Sequence, residues 1–156
     1  MGFCYEDWQV GSRIEVGVHT FTTEEIVAFA EQFDPQPFHI DDDAARASAF
    51  GGLIASGWHT CSVMMGMLVR NVLQGSSSLG SPGIDEICWL RPVRPGDTLR
   101  MYNSVLAKRV SASRPDRGII TTQWAGVNQA DETVITVRSN VMFGLRHPQG
   151  SDPAAV

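Results

Sequence analysis

The chain has 156 residues, 43% of them hydrophobic and 19% charged, with a formal net charge of −5. That length suits one globular domain with a full core and leaves little for a second. The acidic balance excludes a general affinity for nucleic acid or anionic membrane and points to a small-molecule partner, with a local basic patch still able to grip an anionic ligand.

In chain order, the opening "MGFCYEDWQV" is acidic, lacks a long apolar run and carries Glu6 where a myristoylation signal has Ser or Thr. No export or anchoring signal is expected from it. "SRIEVGVHTF" is rich enough in β-branched residues for a short strand, and the "TTEE" that follows spaces Thr22 and Glu25 as a capping box for a helix. Ile26, Phe29, Ala30 and Phe33 recur at helical steps, and the helix should end where Asp34-Pro35 begins. The next loop, "FDPQPFHIDDD", is stiffened by Pro35 and Pro37. Its aspartates offer N-caps for a brief second helix over "DDDAARASAF", stopped by Gly51-Gly52.

"SGWHTCSVMMGMLVRNVLQG" predicts a helix capped by Ser56 and stopped by Gly75, ~25 Å long if it runs from 57 to 73. Trp58, Cys61, Met64, Met65, Leu68 and Val72 give it a core face, and Val63, Met67 and Val69 make most of the rest apolar, the pattern of a buried helix. Met64, Met65 and Met67 are expected as core filler around a pocket. "GSSSLGSPG" predicts a flexible connector. From Ile84 the period changes to two, with long alternating segments in "TLRMYNSVLAKRV", "GIITTQWAGVNQ" and "TVITVRSNVMFGL" separated by turn residues. Ile135, Val137, Val141 and Phe143 should share one face and Arg138 and Asn140 the other. The implied α+β plan is an antiparallel sheet around one long buried helix, with residues 1–146 as a single domain and 147–156 as a disordered tail. Cys4, Cys61 and Cys88 are odd in number, widely spaced and form no CxxC pair. They imply neither a disulfide framework nor a zinc knuckle and suit a cytoplasmic location.

"FDPQPFHID", followed by "FGGLIASGWHT" and later "LRPVRPGDTL", resembles the MaoC-like dehydratases, the hot-dog-fold group that includes (R)-specific enoyl-CoA hydratases. The likeness covers roughly residues 8 to 145. It implies a hot-dog fold and a hydro-lyase in which Asp34 and His39 handle one water. Ser56 and Gly57 fall where the family's central helix begins beside the substrate thioester. Many members have Gly before the aspartate and Asn two residues after it; Phe33 and Gln36 stand there instead and bear on substrate shape. The resemblance implies an acyl-CoA or acyl-carrier thioester as substrate and no further cofactor, and the family pattern is a homodimer or a multiple of it.

The residue types fit that chemistry on their own terms. Hydrating an α,β-unsaturated thioester needs a base for water, a proton for C2 and partial positive charge near the carbonyl that becomes an enolate. Asp34 and His39 can supply the first two, and the helix N-terminus at Ser56, Gly57 and Trp58 the third. The competing assignments are an ordinary helix-terminal carboxylate for Asp34 and a structural imidazole for His39. His59, in the first turn of the long helix, is read as a core or supporting histidine. A metal site at His39, Asp41, Asp42 and Asp43 is disfavoured because adjacent aspartates diverge and serve as caps, and "IASGW" lacks the G-x-S-x-G of a serine hydrolase. Lys108, Arg109, Arg114 and Arg117, or Arg91 and Arg94, are candidates for CoA phosphates beside their reading as solvated charge. A hot-dog thioesterase is the enzymatic alternative, weakened because residues 57–74 contain no Asp or Glu; a silent acyl-binding domain is the third reading.

Overall fold

In the computed structural model, the structure describes residues 3–147; all but His147 of the expected tail lies outside them. Five strands form one antiparallel sheet: β1 (Arg13–Thr20), β2 (Gly83–Trp89), β3 (Thr98–Val110), β4 (Arg117–Val127) and β5 (Thr133–Gly144), in the spatial order β1-β3-β4-β5-β2. The period-two pattern explains this placement. Leu99, Met101 and Val105 of β3, Ile120 and Trp124 of β4, and Ile135, Val137 and Phe143 of β5 all turn inward. Ser139 occupies one of these inward places and is accommodated by its hydroxyl contact with Thr122, 3.3 Å away. The three longest strands therefore hold the centre, while β1 and β2 are left as edges.

Among the described residues there are four α-helices, α1 (Thr23–Phe33), α2 (Pro37–Ile40), α3 (Asp42–Ala47) and α4 (Gly57–Leu68), and a 3-10 turn at Tyr5–Asp7. The inner side of α4 buries Met64, Met67 and Leu68 in the core shared with the sheet. It crosses β1 closely at Gly17, where a Cβ would lie 3.0 Å from Asn71 Nδ2 and 3.2 Å from Met67 Sδ. Past Leu68 the helix continues as one π turn over Val69–Leu73, closed by Gln74 N–H donating to the Val69 carbonyl at 2.8 Å. That turn lets Asn71 Nδ2 donate to the Val16 carbonyl of β1 at 2.9 Å. Gly75, at φ +74°, ends the run as expected of a glycine past a helix C-terminus. The architecture is the hot-dog fold, a curved antiparallel sheet against a central helix.

Three expectations need correction. The central helix is not covered all round: Trp58, Met65 and Val69 stand 56%, 42% and 42% exposed along one side. An apolar composition could not distinguish a face covered by the sheet from one left for something else. The connector after Gly75 is pinned, because Leu79 N–H donates to the Met142 carbonyl and Met142 and Gly144 N–H donate back to Gly80 and Ser77, all within 2.9 Å. Its Gly and Ser residues run beside β5 as an irregular extension of the ladder. Finally, Thr22 caps α1 by accepting from Glu25 N–H at 3.2 Å, but the Glu25 carboxylate turns away from the reciprocal capping contact to accept from His19 Nε2 at 2.6 Å.

Candidate active site

The stiff loop between α1 and α3 builds the site. Asp34 is the C-cap of α1, its N–H donating to the Ala30 carbonyl at 2.8 Å. Pro35 ends the helix there, and Pro37 opens the single turn α2 at its first position, where a missing N–H costs nothing. His39 N–H then donates to the Gln36 carbonyl at 2.9 Å. This tight return places His39 Nε2 3.3 Å from Asp34 Oδ2. Two residues five apart in sequence become one chemical unit.

Each member is held from a second side. The Ile54 carbonyl lies 2.7 Å from His39 Nδ1. A carbonyl only accepts, so Nδ1 carries the hydrogen and Nε2 is the ring nitrogen facing Asp34. Asp34 Oδ1 accepts from Gln36 Nε2 at 2.8 Å, and Oδ2 accepts from the Ser56 hydroxyl at 2.7 Å. Burial pushes the Asp34 carboxyl upward, but the hydrogen bonds from Ser56 and Gln36 and the nearby His39 outweigh it and hold the group below the ordinary aspartate range.

Ser56 is fully buried and has two partners: it donates to Asp34 and accepts from Trp58 N–H at 3.2 Å as the N-cap of α4. It positions the aspartate and does not itself line the cavity. That cavity, of about 520 Å³, is bounded by Asp34, His39, Gly57, Trp58 and Thr60, with apolar walls that include Phe38, Phe50 and Trp89. The Gly57 N–H at its edge belongs to the first turn of α4, whose amides have no acceptor within the helix. The sequence-derived residues Asp34, His39, Gly57 and Trp58 thus meet at one opening, with Ser56 directly behind them.

Other sequence-derived candidates go elsewhere. None of Met64, Met65 and Met67 lines the cavity; the aromatic walls from the 38–58 stretch and β2 replace them. Arg91 is the one arginine or lysine among its described lining and pairs with Glu132 at 3.3 Å. Arg94 instead donates to the Phe50 carbonyl, Lys108 to the Trp8 carbonyl and Arg117 to Asp116. Asp41 caps α3 by accepting from Ala44 N–H at 2.7 Å, and Asp42 and Asp43 both face Arg46, so the acid run diverges. Gln36 and the Ile54 carbonyl were missed as functional groups. Gln36 carried a signal, its departure from the family pattern, whereas a backbone carbonyl carries none.

His59 lies outside the cavity, stacked on Phe29 at 4.8 Å and edge-on to Phe21 at 5.3 Å. Burial holds its pKa down; Glu25, 3.9 Å from Nε2, opposes that shift and His19 reinforces it.

The sequence profile described as "MaoC like domain" matches residues 10–128. A solved MaoC-like dehydratase from Rhodospirillum rubrum is 44% identical, with a TM-score of 0.86 over 94% of this chain and 99% of that one. An uncharacterized Bacillus subtilis protein, YdeM, is 26% identical over 88% of this chain and 96% of its own length. A mesaconyl-CoA hydratase from Haloarcula marismortui is 28% identical over 73% of this chain. The match occupies 32% of that hydratase, so the chain corresponds to about a third of it.

The two lowered pKa values have one sign of consequence for stability. A group whose folded pKa is depressed stabilises the fold above its unfolded pKa and loses that contribution as pH falls. For His59 the loss begins below about 6.5, and for Asp34 below about 3.9. Urea midpoints should therefore fall between pH 7 and pH 5, and His59→Gln, which removes the imidazole titration, should flatten that limb. An unchanged slope in the variant would mean that other groups govern it.

Proposed function

The chain belongs to the MaoC-like domain family, and on that premise we propose that it is a hydro-lyase, reversibly hydrating a trans-2-enoyl thioester to a (3R)-3-hydroxyacyl thioester. The observation that carries the reading is the Asp34–His39 contact at a cavity bordered by the first turn of α4. Asp34, kept ionised by Ser56 and Gln36, accepts a proton from water as the water oxygen bonds to C3. His39, carrying a hydrogen on Nε2 as well as the one Nδ1 holds toward the Ile54 carbonyl, donates the Nε2 proton to C2 and is left as the neutral ring. Negative charge gathering on the thioester oxygen is met by the Gly57 amide and the positive end of α4. The proton on Asp34 Oδ2 then crosses to His39 Nε2, restoring both groups.

The reaction needs no cofactor beyond the thioester, whether carried on CoA or on an acyl carrier. The likeness to a mesaconyl-CoA hydratase supports a CoA ester, and the (R) configuration follows the family resemblance. The thioesterase alternative lacks a carboxylate on α4, and a purely binding role leaves the doubly supported Asp34–His39 pair without a use. We place the protein in the cytoplasm, which suits its cysteine set; among the described residues no helix is long and apolar enough to cross a membrane.

We also propose a homodimer. The β2 edge of the sheet carries exposed Ile84, and the uncovered side of α4 carries Met65 and Val69. A second copy pairing along β2 would satisfy the open strand and cover apolar surface together.

Steady-state assays on 2-enoyl-CoA esters test the pair. Asp34→Asn and His39→Ala should each lower kcat by about 10²–10⁴-fold without unfolding the chain, and the double variant should lose far less than the product of the two. Near-normal turnover by either folded single variant would remove the assignment. In heavy water, crotonyl-CoA should yield a (3R)-alcohol with deuterium at C2 on the face that received oxygen, because both groups act from one side. Anti addition would contradict the shared water, whereas release of free CoA with the double bond intact would identify a thioesterase. Light scattering should return a dimer mass or a multiple of it; a monomer at micromolar concentration would refute the assembly.

A further inference from the structure

The last residue of β2 stands directly against the first residue of α4. Trp89 pairs with Ile135 of β5, and just beyond it the Leu90 and Arg91 N–H groups both donate to the Val134 carbonyl, at 2.8 and 3.2 Å. The backbone carrying the indole is thus pinned to the sheet. A Cβ built on Gly57 would collide with Nε1 and Cε2 of that indole. Gly57 is an ordinary helical residue with no positive φ, so glycine serves there for space and not for conformation. The room it leaves is filled by the Trp89 ring. Trp58 braces the ring edge-on at 5.4 Å, and Cys61, one turn further along α4, touches it through its thiol.

Simple core packing does not account for this arrangement. Trp89 remains 48% exposed, as does much of Trp58, and both line the cavity that holds Asp34 and His39. A large aromatic kept half in solvent at a cavity wall is a surface offered to a ligand. The ring stands over Gly57 and Cys61, residues four apart on one face of α4, at the side of the cavity that runs along the helix.

We propose that Trp89 is a specificity-determining residue: its indole closes the acyl site along α4 and restricts the enzyme to short acyl thioesters. The assignment rests on the hydratase reading for its reaction, but the wall itself is read from binding. Calorimetric Kd values for butyryl-CoA and octanoyl-CoA, saturated esters that cannot be hydrated, are to be compared with kcat/KM for crotonyl-CoA and trans-2-octenoyl-CoA. The native chain should prefer the short member of each pair. In Trp89→Ala the long-to-short ratio should rise by about tenfold or more, the scale on which hydrophobic pockets discriminate by size, and in Trp89→Phe it should rise by less. Trp89→Phe carries the same comparison where Trp89→Ala fails to fold.

Equal weakening of both chain lengths would make Trp89 a structural brace only and overturn the proposal, as would a native preference for octanoyl-CoA. Should the native chain bind with the expected selectivity yet hydrate neither enoyl ester, the hydratase reading fails while the wall stands. Hydration with an unchanged length ratio in both variants would instead leave the hydratase standing and remove the wall.

Discussion

The site depends on the hydroxyl of Ser56. Its 2.7 Å hydrogen bond to Asp34 and its 3.2 Å contact with Trp58 N–H join the proline loop to the central helix. Without that link, Asp34 would be a helix-terminal carboxylate on a surface loop, and the N-terminus of α4 would lack its cap. With it, Asp34 and the first turn of α4, the proton acceptor and the oxyanion partner of the proposed hydration, share one buried anchor. Preorganisation of this kind is effective because no dipole has to be reoriented as charge moves.

The hot-dog architecture supplies that anchor with rigid supports. The inward residues of β3, β4 and β5 hold the buried side of α4, while Gly17 allows the helix to approach β1 and Asn71 bonds across to it. The opposite side of α4 stays exposed at Met65 and Val69, and the first turn borders the cavity. Trp58 belongs to that first turn, with its amide on Ser56 and its ring against Trp89 at the cavity wall. The exposed apolar side chains reduce the burial a monomer could achieve, a cost that the proposed ligand and second copy would offset.

Local patterns carried much of this plan. The period of two located β3, β4 and β5, helical spacing and Thr22 located α1, and Ser56 and Gly75 bracketed the helix between them. Failures occurred where a residue had two possible partners at different sequence distances. Glu25 could return to its own helix cap or reach His19, and it reaches His19. The Gly/Ser connector could float or pair, and it pairs with β5 because Met142 and Gly144 present open backbone groups beside it.

The sequence by itself determined the alternation of strands, the helix boundaries set by caps and prolines, and the types of group at the site, since each depends on residues a few positions apart. Only the tertiary structure decided which side of α4 is buried, which oxygen of Asp34 meets Ser56, that the Ile54 carbonyl orients His39, and that Trp89 occupies the space over Gly57. Those contacts join segments 15 to 32 positions apart in the chain. Their geometry is set by how the sheet curls and packs, which no local period encodes.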